Sequence, residues 1–398
     1  MFGNKIKTDE NKINEILSRG VDRVEKREHL EKRLREGKKL RVKLGIDPTS
    51  QNIHIGRAVA LWKLRAFQEL GHQAILIIGD FTAQIGDTSD KSSERPMLSE
   101  EQVKTNMKTY FDQAFKILDK DKTETFYNSE WLKKLCAIDI SKMADAFGLH
   151  EFEAREVISR RIKEGKRVSL REVLYPLFQG YDSVKVSADV ELGGSDQWFN
   201  LLAGRSIQPL YGQQPQDILT THLLEGTDKR KMSSSWGNVI NITDEPNDMF
   251  GKVMRIYDGE DGIVIRRYLE RATMMSMEEV RKLEQELKTG ANPRDIKKRL
   301  AEEIVSLYYS VKVAREASDE WEKVFSNKEL PSEMEEAKAS GTVTTVIAGV
   351  FNVSNSEIKR LINEKAISVN GEAVSDWHYE VKKGDIIKVG SRRFVKIV

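Results

Sequence analysis

Lys43 to Ala58 reads KLGIDPTSQNIHIGRA, and the reading of this stretch decides the fold. Val42 to Ile46 has the length and composition of a short strand, and Pro48, Ser50 and Asn52 mark a turn. A helix then starts beside Gly56 and runs through Leu61, Leu64 and Phe67 to Gly71, with a second strand, Ala74 to Ile78, directly after it. A strand that feeds a loop and a helix N-terminus brings free backbone N–H groups and the positive end of the helix dipole to one place, where α/β proteins hold phosphate. His54 and Gly56 stand at that junction: Gly56 lets a ligand approach the backbone and His54 offers a donor. Neither GxxxxGK[ST] nor GxGxxG occurs here, which excludes a P-loop and a dinucleotide fingerprint. By itself, H-I-G also fits a solvated histidine in a turn.

Outward from this stretch, strand and helix patterns keep alternating: a strand at Val184–Val190, a helix from near Asp196 and a strand at Ile218–Leu223. The expected fold over residues 39–245 is therefore α/β, a doubly wound, mostly parallel, Rossmann-like sheet with helices on both faces. A helix-rich insertion at about 97–178 interrupts it. Residues 1–38 read as an amphipathic helical lead-in broken at Gly20. From Pro246 to 326 the pattern is nearly all helical, with helix starts at Ser276 and Asn292-Pro293. Residues 327–342, with Pro331, read as a linker. Residues 343–398 read as a small α/β unit: a helix at Ser356–Glu364, a strand at Ile367–Val369, an Asn370-Gly371 turn and strands near Ile386–Val389 and Phe394–Val398.

At 398 residues, 39% hydrophobic and 32% charged, the chain is long enough for two or three cores. Lys+Arg 65 against Asp+Glu 63 leaves a net charge of +2, so any nucleic-acid surface is a local patch. The single cysteine, Cys136, excludes an internal disulfide and fits a reducing compartment. The opening MFGNKIKTDENK has no apolar core of the signal-peptide kind, and no apolar run reaches membrane-spanning length, so the expected location is cytoplasmic, with no membrane partner.

A second signal is Asp228-Lys229-Arg230-Lys231-Met232-Ser233-Ser234-Ser235, followed by Trp236-Gly237-Asn238. Cations and hydroxyls on a loop of small residues suit a clamp on a polyphosphate; alone, the same residues fit a solvated basic loop. HIGR and KMSSS, about 175 residues apart, resemble the HIGH and KMSKS signatures of the class I aminoacyl-tRNA synthetases. With GIDPTSQNIHIGR, IGDFTAQIGDTSDKSSERP, YPLFQGYDS, ELGGSDQWFN and KMSSS in this order, the chain is most similar to the bacterial tyrosyl-tRNA synthetases, and SNSEIKRLINEKAISVNGEAV resembles an S4-type RNA-binding module.

The resemblance implies activation of L-tyrosine with ATP to tyrosyl-adenylate, with Mg²⁺ accompanying the ATP and no protein-bound metal. Transfer to tRNA(Tyr) by a homodimer paired through the insertion follows. It implies ATP contacts from Asp47, Thr49, His54, Gly56, Arg57, Gly194, Asp196, Lys231, Ser233 and Ser234. His54 would steady the α-phosphate, Asp196 would hold the ribose, and Lys231, Lys91 and Arg95 would stabilise the leaving pyrophosphate. For tyrosine it implies Gly45, Asp87, Asn128, Tyr175, Gln179, Asp182 and Gln197. Tyr175, Gln179 and Asp182 recur at spacings of four and three on one helix face. Tyr175, Gln179 and Asp87 would meet the α-amino group, and Asp182 would accept from the phenol. Preferring tyrosine to phenylalanine needs a buried group that loses its partner when the hydroxyl is absent. Three positions depart from the family pattern: Lys43 stands where many members place a phenol-sharing tyrosine, Arg57 replaces the second HIGH histidine, and Ser234 replaces the second KMSKS lysine.

The helical region 246–326 would contact the anticodon stem. Residues 343–398 carry nine Lys/Arg against six Asp/Glu, a local +3, and Lys359, Arg360, Lys365, Arg392 and Arg393 are the expected phosphate contacts. Two rival readings are a tryptophan-charging sister enzyme and a non-catalytic synthetase-like RNA-binding protein.

Overall fold

Six strands form the sheet on which the candidate site is built: β1 Val21–Glu25, β2 Arg41–Ile46, β3 Gln73–Ile78, β4 Thr123–Tyr127, β5 Val190–Gly194 and β6 Asp217–Thr221. Their order is β1-β6-β5-β2-β3-β4, parallel throughout except that β1 runs antiparallel to β6. The computed structural model describes residues 6–87, 97–325, 330, 334–339, 341–390 and 393–398. Two units divide the chain, Met1–Ser318 and Asp319–Val398. In β2 and β3, Val42, Leu44 and Ile46 and the run from Ala74 to Ile78 are all buried, as strands covered on both faces require. The flanking helices include α1 Glu10–Ser18, α2 Arg27–Arg35, α3 Ile55–Glu69, α4 Leu170–Lys185 and α5 Trp198–Ile207. Strand order reverses between β2 and β5, and an α/β sheet opens a crevice at the carboxyl ends of its strands at such a point.

Local chemistry explains the key starts and stops. His54 is the N-cap of α3, its ring nitrogen accepting from the Arg57 N–H at 3.3 Å. Ser169 and Glu172 form a capping box at the start of α4. Gly180 lets α4 and α5 touch: a Cβ there would stand 2.7 Å from Ile207 Cδ1 and 3.0 Å from the Ala203 carbonyl carbon.

Four sequence expectations are corrected. The lead-in is not helical throughout, because Gly20 (φ +62°) turns the chain out of α1 and Val21–Glu25 becomes β1, closing the free edge of β6. No strand spans 184–190: α4 runs to Lys185, backbone bonds from Ser187 and Ala188 to Val184 and Ser183 close it, and β5 begins only at Val190. Alternating apolar Val184, Val186 and Ala188 resemble a strand in sequence but fill a core beside the helix end. The helix-rich segment at 97–178 does not simply interrupt the sheet, since β4 within it pairs parallel to β3 at the sheet edge. Within the expected linker, Glu335–Ala337 is a strand; Pro331 lies outside the described residues.

Past the sheet come helices Pro246–Met254, Ile263–Ala272, Met277–Lys288, Pro293–Tyr308 and Val311–Phe325. Ser276 caps one in a box with Glu279, and Asn292 caps another ahead of Pro293. The second unit has helices Val343–Phe351 and Asn355–Asn363 against strands β7 Glu335–Ala337, β8 Ile367–Val369, β9 Glu372–Ala373, β10 Ile386–Val389 and β11 Arg393–Ile397. These strands are ordered β7-β11-β10-β8-β9, with β7 parallel to β11 and the rest antiparallel. Asn370 (φ +51°) and Gly371 (φ +89°) supply the left-handed pair that the β8–β9 hairpin turn needs. Among the described residues no helix is long and apolar enough to cross a membrane.

Gly180→Ala is expected to destabilise the chain by roughly 1–3 kcal/mol, because backbone faces the new methyl and cannot give way as a side chain would. Thermal unfolding checks this; an unchanged midpoint would contradict the close contact of α4 and α5.

Candidate functional site

At the reversal of strand order the ends of β2 and β5 open into a cavity of about 210 Å³. Gly45 and Asp47 reach it from β2, Gly194 and Asp196 from β5, and His54 and Gly56 from the start of α3. Tyr175, Gln179 and Asp182 line it from α4, and Lys231, Ser233 and Ser234 from the basic loop. Thr49, Arg57, Asp87, Asn128 and Gln197 complete the expected set, so the structure brings together every expected site residue of this unit that it describes. Lys91 and Arg95 lie outside the described residues.

The cavity has two ends of different chemistry. At the inner end, the buried Asp182 carboxylate accepts from Trp131 Nε1 at 2.7 Å and Asn128 Nδ2 at 3.1 Å. Asp47 accepts from Thr82 Oγ1 at 2.7 Å and from the Tyr175 hydroxyl at 2.9 Å. Gln197 Nε2 donates to Asp87 at 2.7 Å. At the outer end Lys231 Nζ meets Asp196 at 2.6 Å, and Ser50 Oγ meets Ser234 Oγ at 3.0 Å, so the basic loop rests on the turn after β2. Asn238, buried, braces that loop by accepting from the Ser233 N–H and donating to the Lys231 carbonyl. Arg57 is held by Thr49 Oγ1 at 2.8 Å and Tyr110 Oη at 3.0 Å.

Burial sets the protonation. It pushes the Asp182 carboxyl up to about 7 against the opposing pull of Lys43 and the donors Asn128 and Trp131. It pushes Asp47 up to about 6, with Thr82 and Tyr175 holding it down. The Tyr175 phenol is raised well above its ordinary value by burial and by Asp47, and so stays a donor. His54 is pushed down to about 3 by burial and by the charges of Arg57 and Lys231, so it is neutral. Its capping nitrogen is an acceptor, which leaves the other nitrogen as the N–H donor.

Some participants escaped the sequence reading. Gly79 is required by space, since a Cβ there would stand 2.0 Å from Asp47 Oδ1 and 2.3 Å from Thr82 Oγ1. Its signal was present in the quoted IGDFTAQIGD. Thr82 lies in that same stretch, whereas Trp131 carried no such signal. Lys43 is not in the cavity wall: it is fully buried beneath it, its Nζ 2.9 Å from Glu191. In the second unit, Lys359 Nζ lies 3.7 Å from the Trp377 ring centroid and Arg393 lies over Phe351. Arg360 is paired with Glu357 and Glu364 of its own helix, Lys365 takes φ +54°, and Arg392 lies outside the described residues. Among the described residues, no three His, Cys, Asp or Glu are grouped to hold a metal ion.

Known proteins resemble the chain over nearly its whole length. Residues 35–326 match the family model for tRNA synthetases class I (W and Y), and residues 350–387 match that of the S4 domain. The chain is 47% identical to the tyrosine–tRNA ligase of Carboxydothermus hydrogenoformans over 96% of its own length and 97% of that protein's. It is 42% identical to that of Thermotoga maritima over 98% of each. The tyrosyl-tRNA synthetase of Archaeoglobus fulgidus, solved with L-tyrosine, shares its fold with a TM-score of 0.62 at 23% identity, covering 77% of this chain and 99% of that one.

Unfolded, His54 takes a proton near its ordinary 6.5, whereas the folded chain refuses it until about 3. The stability this contributes is complete above the unfolded value and is lost as pH falls through that window. His54→Asn keeps an N-cap and removes the loss. Between pH 7 and 5 the variant should therefore gain about 1–2 kcal/mol on the unmodified protein in urea unfolding; a constant difference would contradict a neutral buried His54.

Proposed function

The chain belongs to the class I tRNA synthetases (W and Y), and from that premise we propose that it is a tyrosine–tRNA ligase working through the cavity described above. The observation that carries the reading is the pairing, within one cavity, of a buried carboxylate acceptor, Asp182, with a cationic hydroxyl-rich mouth at Lys231, Ser233 and Ser234. Tyrosine enters with its phenol toward Asp182 and its ammonium toward Asp87, Gln179 and Tyr175. ATP lies across the His54–Gly56 junction, and the Asp196 carboxylate receives the ribose hydroxyls, releasing Lys231 toward the phosphates.

The tyrosine carboxylate oxygen attacks the α-phosphorus, the new P–O bond forms the mixed anhydride, and the bond to the β-phosphate breaks to release pyrophosphate. No side chain is acylated. The chain's part is positioning and charge stabilisation: the neutral His54 N–H donates to an α-phosphate oxygen, and Lys231 meets charge on the leaving group. Lys91 and Arg95 are assigned the same task by sequence. Mg²⁺ carried by ATP supplies further neutralisation. A hydroxyl of the terminal adenosine of tRNA(Tyr) then attacks the carbonyl carbon and AMP leaves.

The S4 domain at 350–387 supports tRNA as partner; Lys359, Lys365 and, by sequence, Arg392 and Arg393 are the proposed phosphate contacts, while Arg360 is held by Glu357 and Glu364. Apolar Ile138, Leu149 and Leu170, 62%, 63% and 80% exposed in the insertion, support a homodimer paired there. Cytoplasmic residence follows from the reaction proposed.

ATP–pyrophosphate exchange with tyrosine, tryptophan and phenylalanine supplied separately tests the reading. Exchange should start with tyrosine alone, and Lys231→Ala should lower its kcat by about 10²–10³-fold with little change in the KM for tyrosine. Exchange with tryptophan would move the protein to the sister specificity. None with any amino acid, while tRNA still binds, would leave the RNA-binding reading.

A further inference from the structure

Lys43 and Glu191 face each other across β2 and β5 in the parallel register, and both are wholly buried. Lys43 Nζ donates to Glu191 Oε1 at 2.9 Å, to Ser183 Oγ at 2.8 Å and to the Gln179 carbonyl at 2.9 Å. Glu191 also accepts from Gln179 Nε2 at 3.1 Å, from Ser183 Oγ at 3.0 Å and from Gln216 Nε2. Neither residue of the pair lines the cavity, and no step of the proposed reaction uses them. Holding two strands together does not explain them, because an apolar pair of similar volume does so as well or better once the desolvation of two ions is counted. What an apolar pair lacks is charge, and a cavity group on which both charges act is Asp182. Its chain neighbour Ser183 and the residue one turn before it, Gln179, are the groups the ammonium grips on α4.

We propose that Lys43, anchored by Glu191, is a specificity-determining positioning residue: its buried cation behind the cavity keeps Asp182 a carboxylate, so that the pocket presents an acceptor and selects an amino acid bearing a phenolic O–H. The inference rests on reading Asp182 as the phenol's partner.

The groups facing Asp182 fit this role. Asn128 and Trp131, from the segment after β4, supply neutral donors. On its own helix, Tyr175 keeps its proton and donates to Asp47, an acid at the end of β2. Glu191 on β5 opposes ionisation of Asp182, and Lys43 on β2 favours it more strongly than any other group. Burial alone, without the cation, drives a carboxyl toward its neutral form. A neutral Asp182 tolerates phenylalanine better and loses the charge-assisted bond to the phenol.

The test is the ratio of kcat/KM for tyrosine over phenylalanine in ATP–pyrophosphate exchange between pH 5.5 and 8.5. Taking the ratio cancels the titration of Asp47 and other groups that both substrates share. In the unmodified protein the ratio should fall as pH drops through about 7. In Lys43→Met the midpoint should rise by about one pH unit or more, with the ratio at pH 7 falling about tenfold. Glu191→Gln leaves the cation unopposed and should move the midpoint the other way. The double variant Lys43→Met/Glu191→Gln leaves neither charge stranded, so it folds where Lys43→Met fails, and its midpoint should rise by less than that of the single variant. A midpoint unmoved in Glu191→Gln and in the double variant, or moved opposite to these directions, overturns the inference while tyrosine-dependent exchange persists. Absence of that exchange in the unmodified protein overturns the ligase reading and the inference with it.

Discussion

β2 and β5 pair in parallel where the strand order of the sheet reverses, and the candidate site hangs from the ends of these two strands. Their carboxyl ends deliver Gly45 and Asp47 on one side and Gly194 and Asp196 on the other. The glycines keep the floor open: a Cβ on Gly194 would stand 2.6 Å from Asp196 Oδ1 and 2.9 Å from Leu223 Cδ2. One layer down, the same register places Lys43 against Glu191. The pairing thus fixes both the shape of the cavity and the charges beneath it.

Electrostatics follows from depth. At the inner end a carboxyl group feels more desolvation than its donors offset, so Asp182 and Asp47 both sit high, near 7 and 6. At the start of α3, burial and, after it, the charges of Arg57 and Lys231 suppress protonation of His54 and leave a neutral N–H donor. A site with a titrating acceptor at one end and a permanent cation at the other separates the recognition of an amino acid from the handling of phosphate.

Much of this was legible in sequence, for identifiable reasons. β2, α3 and β3 could be read because buried strands are continuous apolar runs and because His54 and Gly71 punctuate the helix between them. The candidate site could be read because its residues sit in short motifs in a fixed order. Sheet edges were harder: β1 and β4 are short, half-exposed and rich in charge or threonine, so periodicity alone does not mark them. Val184 to Val190 misled because an apolar alternation also arises where a helix end and its closing turn pack on a core. Lys43 was visible as a departure at the pocket, but its partner lies 148 residues away in sequence, and only strand register brings Glu191 beside it.

The most direct measurement is proton release on tyrosine binding, by titration calorimetry at pH 6.5 and 8.5 in buffers of different ionisation enthalpy. If the phenol is taken up by an ionised Asp182 whose free value lies near 7, tyrosine should expel more than about half a proton per site at pH 6.5 and almost none at pH 8.5. Asp182→Asn should abolish the release. No release at pH 6.5, or the same release from Asp182→Asn, would contradict an acceptor tuned by charge beneath the cavity.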